Sequence, residues 1–202
     1  REHMMGSAHA RHQVHDIELG ARRDGTMLAV RDRIWVDLGA FNVWGIVLPY
    51  NTVAHLLGPH RVPHLAVECR GVVTNKTPNA PYRGAGRPET VFCMDRIVDL
   101  LARELHMDPA ELRRKNYLTA AEMPYELDIP YRDGNRLVYD SGDYRATLDA
   151  ALEAVGYEAL RREQAELRPR GIHRGIGISG YVEGTAIGPY EGATVRLDAT
   201  GR

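Results

Sequence analysis

The sequence predicts an α+β protein in which antiparallel hairpins pack against separate helices. Residues 12–38 carry two apolar runs on either side of Asp24-Gly25, a dipeptide favoured in tight hairpin turns. Residues 88–105 instead place apolar side chains at spacings of three and four, which is typical of an amphipathic helix. The mix of antiparallel hairpins and separate helices favours an α+β fold.

The composition is that of a folded domain. The chain has 202 residues, of which 44% are hydrophobic and 26% charged, and its formal net charge is −1. Acidic and basic residues interleave, so no basic stripe predicts nucleic-acid binding. No apolar run approaches the roughly 20 residues of a membrane span. Cys69 and Cys93 form no CxxC pair, which argues against a zinc or iron–sulfur site within the chain and weakly favours a reducing compartment.

The remaining elements follow from local patterns. In chain order we predict an irregular stretch over 40–63, a strand over 65–73, a loop over 75–86, a helix from Pro88 to Leu105, a short helix from Asp108 to Arg113, an extended stretch over 119–140, a helix capped by Ser141 or Asp143, a charged helical segment over 158–170 and two glycine-rich strands from Arg174.

The first of these helices has the clearest signals. Pro88 suits its first turn, and Glu89 suits the positive end of its dipole. Its apolar stripe consists of Val91, Met94, Val98, Leu101 and Leu105. The charged residues, which mostly lie off that stripe, are Asp95, Arg96, Asp99, Arg103 and Glu104.

The loop before this helix carries the chemistry. A strand leads into Gly84-Ala85-Gly86, which leads into a helix N-terminus, where free N–H groups and the helix dipole favour anions. Glycines allow close approach of a ligand, and Arg83 and Arg87 can donate paired hydrogen bonds to phosphate or oxo groups. The loop lacks the Gly-Lys-Ser/Thr of a P-loop and the third glycine of a dinucleotide fingerprint. A tight turn with solvated arginines is the alternative interpretation.

Residues 81–89 resemble the Ala-Tyr-Arg-Gly-Ala-Gly-Arg loop of the molybdenum-binding large subunits of the xanthine oxidase, aldehyde oxidase and aerobic carbon monoxide dehydrogenase family. Only Pro81 differs. Further blocks match in order over essentially the whole chain: residues 1–4, 12–25, 36–40, 74–78, 108–116, 174–177 and 181–183. The resemblance implies that residues 1–170 form part of the first molybdopterin-binding domain of such a subunit and that residues 171–202 begin the second. We expect the chain to be a fragment.

The same resemblance implies a molybdenum–molybdopterin cytosine dinucleotide cofactor, hydroxylation of aldehydes or aromatic N-heterocycles with water as the oxygen source, and electron transfer to iron–sulfur clusters and FAD. These groups would belong to a small iron–sulfur subunit and a medium FAD-binding subunit, in a cytoplasmic dimer of heterotrimers. Arg83 is the expected catalytic residue and binds the cofactor together with Gly84, Ala85 and Gly86. Ala85 and Tyr181 are expected to line the substrate pocket.

Departures from the family pattern narrow the expectation. Gly84 occupies the position of the copper-binding cysteine of carbon monoxide dehydrogenases, and Asn51 that of the substrate-binding arginine of purine hydroxylases. Carbon monoxide oxidation is therefore an alternative function, and xanthine is a disfavoured substrate. The family's upstream glycine-rich cofactor loop and its catalytic glutamate are not in this sequence, so we expect the fragment to be inactive alone. A non-catalytic assembly or anion-binding module is the second alternative.

Several residues favour structural interpretations. The histidines at 9, 12 and 15 would splay to both faces of a strand, which favours surface or hydrogen-bonded roles over metal binding. The two cysteines are interpreted as small buried hydrophobes, and Trp35 and Trp44 as core or interface residues. Glu183 could reach the pocket, but a structural hydrogen bond is favoured.

Overall fold

The computed structural model describes residues 1–41, 47–131, 134–184 and 192–201. The helices are α1 (Glu2–Gly6), α2 (Val47–Ala54), α3 (Arg87–Glu104), α4 (Pro109–Asn116), α5 (Tyr144–Val155) and α6 (Tyr157–Leu167), and the strands are β1 (Gln13–Ala21), β2 (Met27–Gly39), β3 (His64–Val73), β4 (Tyr125–Pro130) and β5 (Arg136–Tyr139). The architecture is α+β, as predicted. No helix in these ranges is long and apolar enough to cross a membrane.

The predicted first hairpin is confirmed. Strands β1 and β2 pair antiparallel with Val14 opposite Trp35. Gly25 adopts a φ of 85°, which glycine accepts without strain, and the Asp24 carboxylate accepts a hydrogen bond from the Thr26 N–H at 3.0 Å. The residues whose spacing predicted the strands therefore also fix their register.

Strand β3, predicted as a strand over 65–73 without a partner, joins the first hairpin. It pairs parallel to β2, from Ala29 opposite His64 to Gly39 opposite Val73, in a sheet of order β1-β2-β3. The stretch 40–63, predicted as irregular, contains α2, and the chain returns through it to the starting end of β2. A parallel pair requires a crossover of this kind, so the parallel direction of β3 follows from the connection through α2, the helix that the sequence pattern missed.

Helix α3 packs against β1 and lies in the same core as β2. Met94, Val98 and Ala102 are buried with Met27 and Val30 in the main hydrophobic cluster. Asp95 departs from the prediction, because it is buried on the inner side of the helix rather than on a solvent face. Its counterion, Arg113, lies on α4 and was not apparent from the helix pattern.

The C-terminal half adds a second hairpin and two helices. Strands β4 and β5 pair antiparallel within the stretch predicted only as extended. Asp143, one of the two predicted caps, accepts a hydrogen bond from the Ala146 N–H at 2.9 Å. Gly156, with a φ of 69°, separates α5 from the largely exposed α6. A second hydrophobic cluster joins α4, α5 and α6 and consists of Ala110, Tyr117, Leu148, Leu152 and Tyr157.

The glycine-rich strands predicted from Arg174 are not found in the described residues. Residues 172–184 and 192–198 form neither helix nor strand. Apolar alternation needs a neighbouring strand to form a ladder, and none of the described strands offers one here. The predicted turn between the two runs, like Trp44, lies outside the described residues. The domain boundary at 170/171 stays a prediction.

Candidate functional site

The loop before α3 is a tight, left-handed turn. Gly84, Ala85 and Gly86 have φ values of 101°, 35° and 90°. The Ala85 N–H donates to the Tyr82 carbonyl at 2.6 Å, and the Arg87 N–H donates to the Gly84 carbonyl at 3.1 Å. Three successive positive φ values are costly for most residues but cheap for glycine. The helix then begins at Arg87, with Gly86 as its N-cap.

The glycines serve packing as well as conformation. A Cβ on Gly86 would lie 2.8 Å from the Leu48 carbonyl oxygen and 2.8 Å from the Thr52 nitrogen, so the loop rests directly on the backbone of α2. A Cβ on Gly84 would meet the ring of Pro88 at 2.7 Å. In the described structure these glycines let the loop approach its own chain; the close approach of a ligand, which the sequence predicts, stays a prediction.

We therefore expect Gly86→Ala to destabilise the chain by at least about 1–3 kcal/mol, because alanine at this φ is strained and its methyl group would collide with backbone atoms that cannot turn away. Chemical unfolding measures the loss. Gly134→Ala is the matched control, since Gly134 also has a positive φ of 81° but no atom within 4 Å of its added Cβ. Equal losses in the two variants would contradict the packing explanation.

The base of the loop is built from two of the sequence blocks that carried the resemblance. The Asp37 carboxylate accepts hydrogen bonds from the Thr74 hydroxyl at 2.6 Å and the Gly39 N–H at 2.9 Å, and it lies 2.8 Å from Lys76 Nζ. Burial opposes ionisation of Asp37, yet these donors and His12 hold its pKa well below the ordinary value. The end of β2 and the segment before the loop are thus locked together.

Arg11 connects the loop to the helix. Its guanidinium donates to the Arg83 carbonyl at 2.7 Å and to the Glu89 carboxylate at 3.2 Å, and it lies 5.3 Å from the centre of the Tyr82 ring. Sequence reasoning missed this residue. The contact spans more than 70 positions and leaves no local signal.

The two loop arginines have different roles. Arg87 Nε lies 2.8 Å from the Glu183 carboxylate, and an Arg87 amino group donates to the Gly84 carbonyl at 3.4 Å. Arg83 is exposed, and its guanidinium has no polar partner in the ranges that the structure describes. Two arginines were expected to bind an anion. Because Glu183 neutralises Arg87, only Arg83 is available to do so among the two. Glu183 thus makes an ion pair and also lines the cleft, so it reaches the pocket as well as making a contact within the protein.

Arg83 opens onto a cleft that contains most of the predicted site. The cleft has a volume of about 490 Å³ and is lined by Arg83, Gly84, Arg87, Pro88, Val91, Phe92, Ser179, Tyr181 and Glu183. Tyr181, predicted from the resemblance alone, comes together here with Arg83 from nearly one hundred positions away. Ala85 is not among the lining residues, and its place in a substrate pocket stays a prediction. Asn51 is buried in α2 and does not line the cleft either.

A buried ion pair holds the Tyr181 side of the cleft. Arg113, with no exposed side-chain surface, lies 3.0 Å from Asp95 and 2.8 Å from Asp99. It also donates to the Ile178 carbonyl at 3.2 Å, while the Gly180 N–H donates to Asp95 at 3.2 Å. The unpaired segment 178–180 is thereby anchored to α3 and α4, and Tyr181 follows directly.

The arrangement suits an anionic ligand. Within the described chain, the N–H groups of Gly84 and Gly86 have no hydrogen-bond acceptor, and they lie at the N-terminus of an 18-residue helix. Gly84 lines the cleft together with Arg83, whereas Gly86 is buried against α2. Unpaired backbone donors, a helix dipole and one cation are the components of a phosphate or oxo-anion site. The tight-turn geometry of the alternative interpretation is also present, and Arg83 is both exposed to solvent and part of the cleft lining.

The histidines make hydrogen bonds, as their structural interpretation predicted. A ring nitrogen of His9 lies 2.9 Å from the Met4 carbonyl, one of His12 lies 3.0 Å from Asp37, and one of His15 lies 2.7 Å from Asp32. The described residues contain no group of three metal-ligating side chains. Both cysteines are free and half-buried, and burial raises the pKa of Cys69 to about 11.

Comparison with known proteins identifies the family. The family described as molybdopterin cofactor-binding domain matches residues 1–117. The chain is 34% identical, over its whole length, to the gamma subunit of the 6-hydroxypseudooxynicotine dehydrogenase complex of Paenarthrobacter nicotinovorans, of which it covers 25%. It is 33% identical, over 99% of its length, to the carbon monoxide dehydrogenase large chain of Hydrogenophaga pseudoflava, of which it covers 26%.

Structural similarity agrees with the sequence matches. Quinoline 2-oxidoreductase from Pseudomonas putida 86 superposes with a TM-score of 0.76 and 32% identity over 84% of this chain and 21% of its own. This chain thus spans about a quarter of the length of the curated relatives it matches. The loop, its base and helix α3 all fall within the matched residues, and the chain belongs to the molybdopterin cofactor-binding domain family.

Proposed function

We propose that this chain is part of the catalytic large subunit of a molybdenum hydroxylase that oxidises aldehydes or aromatic N-heterocycles, with water as the oxygen source. The observation that carries the proposal is the cleft at the start of α3. Arg83, which has no polar partner in the described ranges, lines this cleft together with Tyr181, and the adjoining glycine turn has N–H groups without acceptors. Because the chain belongs to the molybdopterin cofactor-binding domain family, the anion that we propose for this site is the molybdopterin cofactor. The apolar wall formed by Pro88, Val91 and Phe92 suits a flat, weakly polar substrate.

The residues present fit the cofactor. The Gly84 and Gly86 N–H groups and the Arg83 guanidinium would hold its anionic oxygens, because each is a donor without an acceptor in the described chain. When bound, the molybdenum centre supplies the two-electron redox chemistry of the hydroxylation. The chain's own part is to bind and orient, with Arg83 as the proposed catalytic residue and Glu183 keeping Arg87 neutralised.

We further propose the finer features that the resemblance implies. The cofactor would take the cytosine dinucleotide form, and electrons would leave through iron–sulfur clusters and FAD carried by a small and a medium subunit. The assembly would be a cytoplasmic dimer of heterotrimers. The word "complex" in the name of the Paenarthrobacter relative supports a multi-subunit arrangement.

The test of the proposed function is the molybdenum content of the natively purified complex that contains this chain. We expect close to one molybdenum per chain. The metal is measured by elemental analysis of the complex purified from cells that were grown with ample molybdate. Stoichiometric metal would lead directly to a screen of aldehydes and N-heterocycles. An intact complex without molybdenum would refute the proposal and favour the non-catalytic assembly module.

Carbon monoxide oxidation is the second candidate, favoured by the similarity to two carbon monoxide dehydrogenase large chains. Gly84 offers no thiolate at the position where the resemblance places a copper ligand, and Cys93 lies in α3 outside the cleft lining. Dye reduction by the intact complex under carbon monoxide distinguishes the two candidates. Turnover on that gas would replace the hydroxylase assignment.

A further inference from the structure

A buried polar network lies on the otherwise apolar inner face of the first hairpin. On β2, Asp32 shares that face with Val30 and Ile34 and has no exposed surface. Its carboxylate lies 2.7 Å from Nδ1 of His15 on β1, whose side chain is only 5% exposed. An ion pair on a buried apolar face is costly to form, so its presence calls for an explanation other than stability.

The network continues from His15 towards α2. His15 Nε2 lies 3.1 Å from the Gln13 side-chain oxygen, and the Gln13 amide nitrogen donates to the Thr52 hydroxyl at 2.9 Å. Because both ring nitrogens of His15 face acceptors, the ring carries both protons and is cationic. Burial lowers the pKa of His15, but the groups that face it, Asp32 from β2 and Cys93 from α3, outweigh this effect and raise it to about 9.

Thr52 brings the network to the glycine loop. Its hydroxyl donates a hydrogen bond to the Leu48 carbonyl at 2.9 Å and lies 3.4 Å from the Gly86 carbonyl. A Cβ on Gly86 would lie 2.9 Å from the same hydroxyl oxygen, so no space separates the loop from this side chain. Any movement of Thr52 must therefore move Gly86.

We infer that Asp32, His15, Gln13 and Thr52 are positioning residues that fix the backbone of the Gly84–Gly86 turn in the conformation that receives the anionic group. The inference rests on the proposed function for the identity of that group, but the placement of the turn is a property of the chain itself. Asp32 holds His15, His15 orients the Gln13 amide, and Gln13 holds Thr52 beneath Gly86. None of the four lines the cleft, so they act through the loop.

Hydrogen exchange of the loop amides in the purified complex tests the inference. The amides to follow are those of Ala85, Arg87 and Thr90, whose N–H groups donate to carbonyls of the loop. In Gln13→Leu we expect their protection from exchange to fall about tenfold. This factor corresponds to the loss of one hydrogen bond of ordinary net strength. Gln13→Glu should preserve the protection, because the carboxylate still accepts from His15. The Thr52 hydroxyl, which lies 3.2 Å from the Gln13 side-chain oxygen, can turn to donate to the carboxylate instead of to the Leu48 carbonyl. Thr52→Val, which removes only the hydroxyl, should repeat the effect of Gln13→Leu and replaces it if that variant does not fold.

The control is Asp16→Asn, which removes an exposed carboxylate of β1 that pairs with Arg33 on β2 and does not contact the loop or its base. It should leave loop protection unchanged. Unchanged protection in Gln13→Leu and Thr52→Val would overturn the inference, as would equal loss in Gln13→Glu, or equal loss in the loop and in α4. Hydrogen exchange reports on the amides of this chain and does not require molybdenum. A complex without molybdenum would therefore contradict the proposed function but leave this inference standing.

Discussion

Replacing Arg83 by alanine is expected to lower kcat of the assembled enzyme by about 10²–10³-fold, the usual cost of losing one preorganised donor to a developing charge. The physical reason is that Arg83 is the loop cation without a carboxylate partner in the described chain, whereas Arg87 is paired with Glu183. Turnover is measured by dye reduction with an aldehyde or N-heterocycle. The turnover of Arg83→Lys should lie between that of the wild type and that of Arg83→Ala, because lysine keeps the charge but loses the planar set of donors.

Folding should be intact in Arg83→Ala, since its exposed side chain makes no polar contact with the described residues. The free energy of unfolding, measured by thermal unfolding, should therefore change by no more than the roughly 0.5 kcal/mol typical of surface substitutions. Arg70→Ala, an exposed arginine on β3 that pairs with Glu68, is the matched control and should leave both turnover and stability unchanged. Wild-type turnover in Arg83→Ala would disprove the assignment of Arg83 as the catalytic residue.

Arg113→Met is expected to destabilise the chain by about 3–5 kcal/mol, the largest effect on stability that we predict. The substitution leaves Asp95 buried without its cation and removes the donor to the Ile178 carbonyl. Chemical unfolding at neutral pH measures the loss. Arg114→Met, at the adjacent position, removes ion pairs with Asp149 and Glu111 that are partly exposed, and we expect it to cost less than about 1 kcal/mol.

The loss in Arg113→Met should also depend on pH. Burial raises the pKa of Asp95, and Arg113 opposes that rise, so removing Arg113 raises the pKa further. A carboxyl whose pKa is higher in the folded than in the unfolded state weakens folding as pH rises above the unfolded value. The variant should therefore be closer to wild type near pH 4 than at pH 7. A loss that does not change over this interval would show that Asp95 is not the group left unpaired.

Local signals in the sequence were sufficient for the first hairpin, α3 and α4. The Asp24-Gly25 turn, the spacing of Met94 and Val98, and the Asp108-Pro109 cap each involve neighbours within a few positions, where propensity and capping act directly. The segments with weaker local signals were predicted less well. Helix α2 contains Pro49 and has no clear apolar stripe, and strand β3 carries no information about the direction of its partner.

For the candidate site, the sequence by itself determined the loop, the available residue types and, through the resemblance, the inclusion of Tyr181. One signal was present but not used: Asp32 interrupts the alternating apolar row Val30, Ile34 and Val36, where a buried charge requires a partner. Only the tertiary structure decided that His15 is that partner. It likewise decided that Glu183 pairs with Arg87, which leaves Arg83 available, and that Gly86 packs against α2. These outcomes depend on contacts between residues tens of positions apart, and such contacts form only when distant elements are brought together by burial of the shared core.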